Sequence, residues 1–83
     1  MKRVYVLEKH NGGEVTVEVY GSHKRCVEEM EAYALRVDMG ESDAWKGDGS
    51  KRPTLAQRAQ RASGALTDGD IDASMVYYPA TVR

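Results

Sequence analysis

With 83 residues, 41% of them hydrophobic and none Phe, the chain has material for one domain with a modest core and too little for two. Twelve basic against 13 acidic residues, a net charge of −1, exclude a whole-molecule polyanion mimic or a histone-like polycation, because both depend on a one-signed field. The single cysteine, Cys26, excludes an internal disulfide, and no apolar run approaches the roughly 18 residues of a bilayer span. These features predict one soluble, cytoplasmic domain over residues 1–83, with no membrane partner.

The first predicted strand runs from Arg3 to Lys9. Val4 and Val6 alternate with Tyr5 and Leu7, so both faces are apolar, which suits a central strand. His10-Asn11-Gly12-Gly13 supplies the residues of a tight reversal. Val15, Val17 and Val19 then alternate with Thr16, Glu18 and Tyr20, the pattern of a half-buried strand antiparallel to the first.

At Gly21-Ser22 the period changes to that of a helix, with the Ser22 hydroxyl placed to cap its first turn. Cys26, Val27, Met30, Tyr33, Ala34 and Val37 fall three and four apart and form the face that should lie across the hairpin. Lys24 with Glu28 and Arg25 with Glu29 sit one turn apart on the outer face. Gly40 is the expected left-handed stop.

Residues 40–52, rich in Gly, Ser, Asp and Lys around Trp45, read as a flexible loop. Pro53 opens a second helical pattern, Thr54 to Ser63, which Gly64 should end. Its apolar stripe of Leu55, Ala59 and Ala62 is narrow, so this helix is expected either to sit very close to a neighbour or to be held weakly. A third strand is predicted from Ile71 to Tyr78, with Ile71, Ala73, Met75 and Tyr77 on one face and Pro79 blocking further central pairing. The fold class is therefore α+β: a three-stranded, mostly antiparallel sheet in the order β-β-α-α-β. One amphipathic helix packs on one face, a short second helix follows, and the last strand lies beside the first.

Chemistry-bearing patterns are weak. Asp68, Asp70 and Asp72 resemble the opening of a calcium loop, but Ala73 stands at its glycine position and Pro79 at its glutamate position. Cys26, His10 and His23 lack the paired spacing of a zinc site, and Cys26 falls on the apolar helix face, where an inert thiol is expected. Neither Gly12-Gly13 nor Gly47-Asp48-Gly49 has the spacing or the following helix of a phosphate loop. No catalytic residue, metal or cofactor is predicted, and enzyme activity is not expected from a chain with so little interior to enclose a pocket.

Charge and aromatic placement point to binding instead. Lys46, Lys51, Arg52, Arg58 and Arg61 face a single anion, Asp48, between residues 46 and 64, and Arg58 and Arg61 share a helical face with Gln57 and Gln60 nearby. Such a segment grips phosphates or an acidic protein surface. Trp45 and a sheet face presenting Tyr20 with Tyr78, or Tyr5 with Tyr77, would serve as anchors for a protein partner or for a second copy of the chain.

The residues Arg3-Val4-Tyr5-Val6-Leu7, Glu14 to Val19, and Gly21-Ser22 leading into Glu28-Glu29-Met30 resemble the strand-strand-helix half of small accessory proteins of bacteriophages and mobile elements, including single-domain anti-CRISPR inhibitors. That resemblance implies binding without catalysis to a host complex, in the host cytoplasm. Many such proteins are strongly acidic; the charge of −1 departs from that pattern and argues against DNA mimicry. The sequence thus predicts a non-enzymatic module that occupies a site on a larger protein or nucleoprotein complex, with Trp45, Lys46, Lys51, Arg52, Gln57, Arg58, Arg61, Tyr20 and Tyr78 as contact residues. The alternative is a nucleic-acid-binding regulator using Lys46 to Arg61, and a homodimer is a further expectation.

Overall fold

A computed structural model describes residues 2–47, 49, 51–68 and 72–82. Strand β1 (Lys2–Asn11) and strand β2 (Glu14–Tyr20) form a hairpin, helix α1 (His23–Asp38) follows, then a single 3-10 turn (Asp43–Trp45), helix α2 (Leu55–Asp68) and strand β3 (Ala73–Val82). The sheet is antiparallel throughout, in the order β2-β1-β3. β1 is central, as its two apolar faces predicted. Among the described residues, no helix is long and apolar enough to cross a membrane.

The hairpin closes through Gly12 and Gly13, both at positive φ (59° and 94°), the conformation that matches the twist of the flanking strands. Asn11 pairs with Glu14, and this pair fixes the register: Tyr5 opposite Tyr20, Leu7 opposite Glu18, Val6 opposite Val19. On the other side Leu7 meets Tyr77 and Val6 meets Tyr78. The Gly12 N–H donates to the Asp72 carbonyl at 3.0 Å, tying the turn to the approach to β3.

α1 begins as its sequence predicted. Ser22 accepts a hydrogen bond from the Arg25 N–H at 3.1 Å, and Cys26, Val27, Met30, Tyr33 and Ala34 are buried with Val37 packed beside them. Its end differs from the expectation: the left-handed residue that closes the helix is Met39 (φ 56°), whose N–H donates to the Leu35 carbonyl, with Gly40 continuing the positive-φ path. Of the two outer-face ion pairs, Arg25 and Glu29 approach to 3.5 Å.

α2 departs further from its predicted bounds. Thr54 is its cap, not its first residue: Thr54 Oγ1 accepts from the Gln57 N–H at 3.1 Å while Gln57 Oε1 accepts from the Thr54 N–H at 2.8 Å, a reciprocal capping box. The helix runs through Gly64 because burial on its inner face continues beyond it: Ala59, Ala62, Ala65 and Leu66 all belong to the core. A narrow stripe of small side chains is what lets α2 sit close to its neighbours, the first of the two alternatives that the sequence allowed.

β3 also corrects its prediction, running to Val82 through Pro79. It is an edge strand, where a residue without an N–H leaves one ladder intact. Ile71, the predicted first residue, lies outside the described residues, as does Asp70 of the calcium-like triplet.

Both helices contribute to one core with Leu7 of β1 and Met75 of β3. The molecule is a thin slab, 40 × 35 × 14 Å across its Cα atoms. It has two layers, and the helices cover only one face of the sheet.

Candidate functional site

Parity in the sheet decides which residues that single helical layer covers. On the covered side lie Tyr5, Leu7, Lys9, Tyr20, Met75 and Tyr77; on the open side lie Lys2, Val4, Val6, Glu8 and His10 of β1, Val15, Val17 and Val19 of β2, and Ser74, Val76, Tyr78, Ala80 and Val82 of β3. This reverses what the Val15-Val17-Val19 alternation suggested. The valines are 55–60% exposed. Both faces are apolar, and the helices take the one whose Tyr, Leu and Met side chains bury the greater area.

The open face is therefore largely apolar, with Glu8 and His10 of the central strand set among its valines. Of the eight large hydrophobic residues exposed among the described residues, six are on it: Val15, Val17, Val19, Val76, Tyr78 and Val82. Val4 and Val6 lie in its middle, on the central strand. Val4 is buried but outside the core cluster. The charges stand on the central strand: Lys2 beside Val82 near one end, and Glu8, 3.9 Å from His10, between Val17 and Val76 toward the other.

The two tyrosines predicted to share an exposed face are separated. Tyr78 is on the open side, whereas Tyr20 turns toward the helices, and Tyr5 and Tyr77 share the helix side with it. The Tyr20 hydroxyl donates to Glu18, which also receives Lys9 Nζ at 2.5 Å. Lys9 Nζ in turn sits 5.1 Å from the centre of the Tyr33 ring, and the Arg36 guanidinium is 5.7 Å from the same ring. The Lys9 hydrogen bond, reinforced by Tyr20, holds the Glu18 carboxyl below its ordinary range. Burial, then the Glu18 carboxylate, pushes the Tyr20 phenol well above its own. This cluster bolts the Lys9–Glu18 pair of the hairpin to α1.

A second group orders the other end of the covered face. His23 stacks between Tyr5 (centroids 4.9 Å apart, planes 12° apart) and Tyr77 (5.4 Å, 29°), with Nε2 3.0 Å from the Tyr77 hydroxyl. Beneath it Cys26 is fully buried, and burial raises its thiol pKa, which makes a thiolate nucleophile unfavourable. Among the described residues no three His, Cys, Asp or Glu side chains converge as a metal site.

The basic segment is partly spent on internal contacts. Arg58 forms a bidentate pair with Glu31 of α1, Nε to Oε2 at 3.1 Å with its second bond to Oε1, and both side chains are about three-quarters buried. Lys46 pairs with Asp43 at 3.1 Å in full exposure, and the Gln57 carboxamide is held in the capping box. Trp45 packs against the core and donates its Nε1–H to Asp38 at 2.7 Å, while the same carboxylate oxygen accepts the Ser42 N–H at 2.9 Å. Asp38, 6% exposed, thus pins the segment after α1 through a buried acceptor that the helical pattern did not reveal. Lys51, Arg52 and Arg61 make no ion pair among the described residues. Arg61 lines a shallow 290 Å³ groove with Ala44, Lys46, Gln57 and Gln60.

Of the nine predicted contact residues, the open apolar face contains only Tyr78, and the groove beside α2 gathers Lys46, Gln57 and Arg61. The residues the sequence reading passed over are the three valines of β2. The signal for them is the register imposed by the two-residue turn, which sets Glu18 opposite Leu7 and so sends Val17 to the other side. Comparison with protein families, curated proteins and solved structures found no match.

Proposed function

We propose that this chain is a non-enzymatic binding module whose adhesive surface is the open face of its sheet, through which it occupies a site on another protein or on the protein part of a nucleoprotein complex. The observation that carries this reading is the aliphatic patch formed by Val15, Val17, Val19, Val76, Tyr78 and Val82. A contiguous exposed patch of this kind is uncommon on a lone domain and typical of a contact surface. The fold does not need these side chains for its core. The narrower reading, an inhibitor of a host defence complex, rests on the resemblance to phage accessory proteins.

The nucleic-acid alternative has less to draw on. Arg58 and Lys46 already hold carboxylates, leaving Lys51, Arg52 and Arg61 as the segment's cations without an ion pair among the described residues, and the open face offers one aromatic ring to a base. Capture from a cell lysate by the immobilised chain, with and without nuclease, separates the two. Nuclease-resistant capture that is lost in Val17→Lys and kept in a Lys51→Glu/Arg52→Glu variant supports the sheet face. The reverse pattern transfers the function to the basic segment.

A further inference from the structure

Resting on the reading of the open face as adhesive, we infer that in the absence of a target the β1 and β3 part of this face is covered by a second copy of the chain, packed sheet against sheet about a two-fold axis with the β1 strands antiparallel. The charges on the face select this arrangement. Lys2 and Glu8 stand six residues apart on β1, and the midpoint between them falls at Tyr5. A two-fold axis perpendicular to the strands at that point sets Lys2 of one copy opposite Glu8 of the other, and Glu8 opposite Lys2. A two-fold axis parallel to the strands instead sets Lys2 on Lys2 and Glu8 on Glu8, and like charges held face to face oppose association.

The same axis matches side-chain sizes. Val4 meets Val6 of the second copy at the centre, and on β3 the register places Tyr78 over Ala80 and Val76 over Val82, so a large ring faces a methyl group on each side of the axis. On β2, which ends at Tyr20, only Val19 lies near the axis; Val17 and Val15 project past the end of the other copy's β2 and stay open in the pair. Lys2 and Glu8 lie about 10 Å from the axis along the strand. The roughly 30° rotation of aligned sheets moves them about 5 Å sideways there, within reach of a lysine side chain.

Seven overlapping residues on each of β1 and β3, at about 4.8 Å between strands and about 3.3 Å per residue, with only the end of β2, give a shared face of roughly 250 Å² in projection per copy. Interdigitation of the side chains raises the area buried, which still falls below that of standard specific interfaces, so the pair is a weak, reversible dimer populated toward millimolar concentration. The product is a four-layer slab, helices outside and two sheets within. A target protein at the open face must displace the second copy.

Sedimentation equilibrium of the full chain across low-micromolar to millimolar concentrations reads the association, with circular dichroism confirming that each variant is folded. The expected result is a monomer–dimer equilibrium in which Lys2→Glu alone, and Glu8→Lys alone, weaken association about tenfold to thirtyfold, since each reversal acts at two symmetric pairs. The double variant Lys2→Glu/Glu8→Lys restores it to within about threefold of wild type. Single reversals without effect, or a double variant that fails to recover, overturn the antiparallel arrangement. A wild-type chain that stays monomeric throughout overturns the dimer itself, and leaves the adhesive reading of the face to the Val17→Lys capture experiment.

Discussion

Replacing Val15, Val17 and Val19 together by Thr separates the folding role of apolar side chains from the binding role proposed for the open face. Each valine is 55–60% exposed, so folding removes only about two-fifths of its surface from water. Against roughly 1.5 kcal/mol for complete burial of a valine, that share is worth about 0.6 kcal/mol, and Thr, which keeps one methyl group and a β-branched stem, forfeits about half. The triple variant should lose about 1 kcal/mol of folding stability. Association tells a different story. A target protein that closes the whole face buries the remaining surface and would trap each hydroxyl without a partner, so each site costs at least about 1 kcal/mol and the three together weaken its binding more than about a hundredfold. Urea unfolding gives the first quantity and capture of a target protein gives the second. A stability loss above about 3 kcal/mol, or association unchanged within error, would refute the division of labour between the two faces.

Gly64→Ala should stabilise the chain by about 0.5–1 kcal/mol, or a few degrees in Tm, because a glycine inside a helix costs that much relative to alanine and the added Cβ meets Ala44 Cβ at an ordinary 3.7 Å; thermal melting checks it, and a lower Tm would mean that the 3-10 turn packs closer than this distance. Thr54→Ala removes the hydroxyl acceptor of the capping box and should cost about 1 kcal/mol, measured by urea unfolding; an unchanged midpoint would deny the cap a role in stability. The depressed pKa of Glu18 makes a linkage prediction: its contribution is complete above the ordinary carboxyl value of 4.5 and fades as pH falls through the lower folded value. Glu18→Gln should therefore flatten the acid limb of the stability–pH curve while lowering stability at neutral pH, and an acid limb identical to wild type would show that the Lys9–Glu18–Tyr20 cluster is not coupled to folding.

The α+β order, the hairpin and the buried face of α1 were legible because each rests on local signals: Gly12-Gly13 for the reversal, Ser22 for the cap, and apolar residues three and four apart for the helix. The orientation of the sheet was not. β1 has apolar residues on both faces, so its pattern does not say which face the helices cover, and the regular Val15-Val17-Val19 alternation suggests the wrong one. Side-chain area decides it: Tyr5, Leu7, Tyr20, Met75 and Tyr77 outweigh a row of valines. Gly64 reads as a helix end by propensity, a weak preference that burial of Ala65 and Leu66 overrides. The contacts of Arg58 with Glu31 and of Trp45 with Asp38 join segments 27 and seven residues apart. Neither has a local signature, so cations and an aromatic that look available in the sequence are already engaged in the fold.

The most direct test of the open face as the adhesive surface is protection of valine and tyrosine side chains from a soluble paramagnetic probe, followed by NMR on the wild-type chain before and after it associates. Val15, Val17, Val19, Val76 and Tyr78 should be strongly relaxed in the dilute free chain and become shielded together when a target protein is bound, while signals from Lys51, Arg52 and Arg61 do not change. Valines that stay accessible in the associated state, with shielding confined to the α2 groove and its cations, would contradict it.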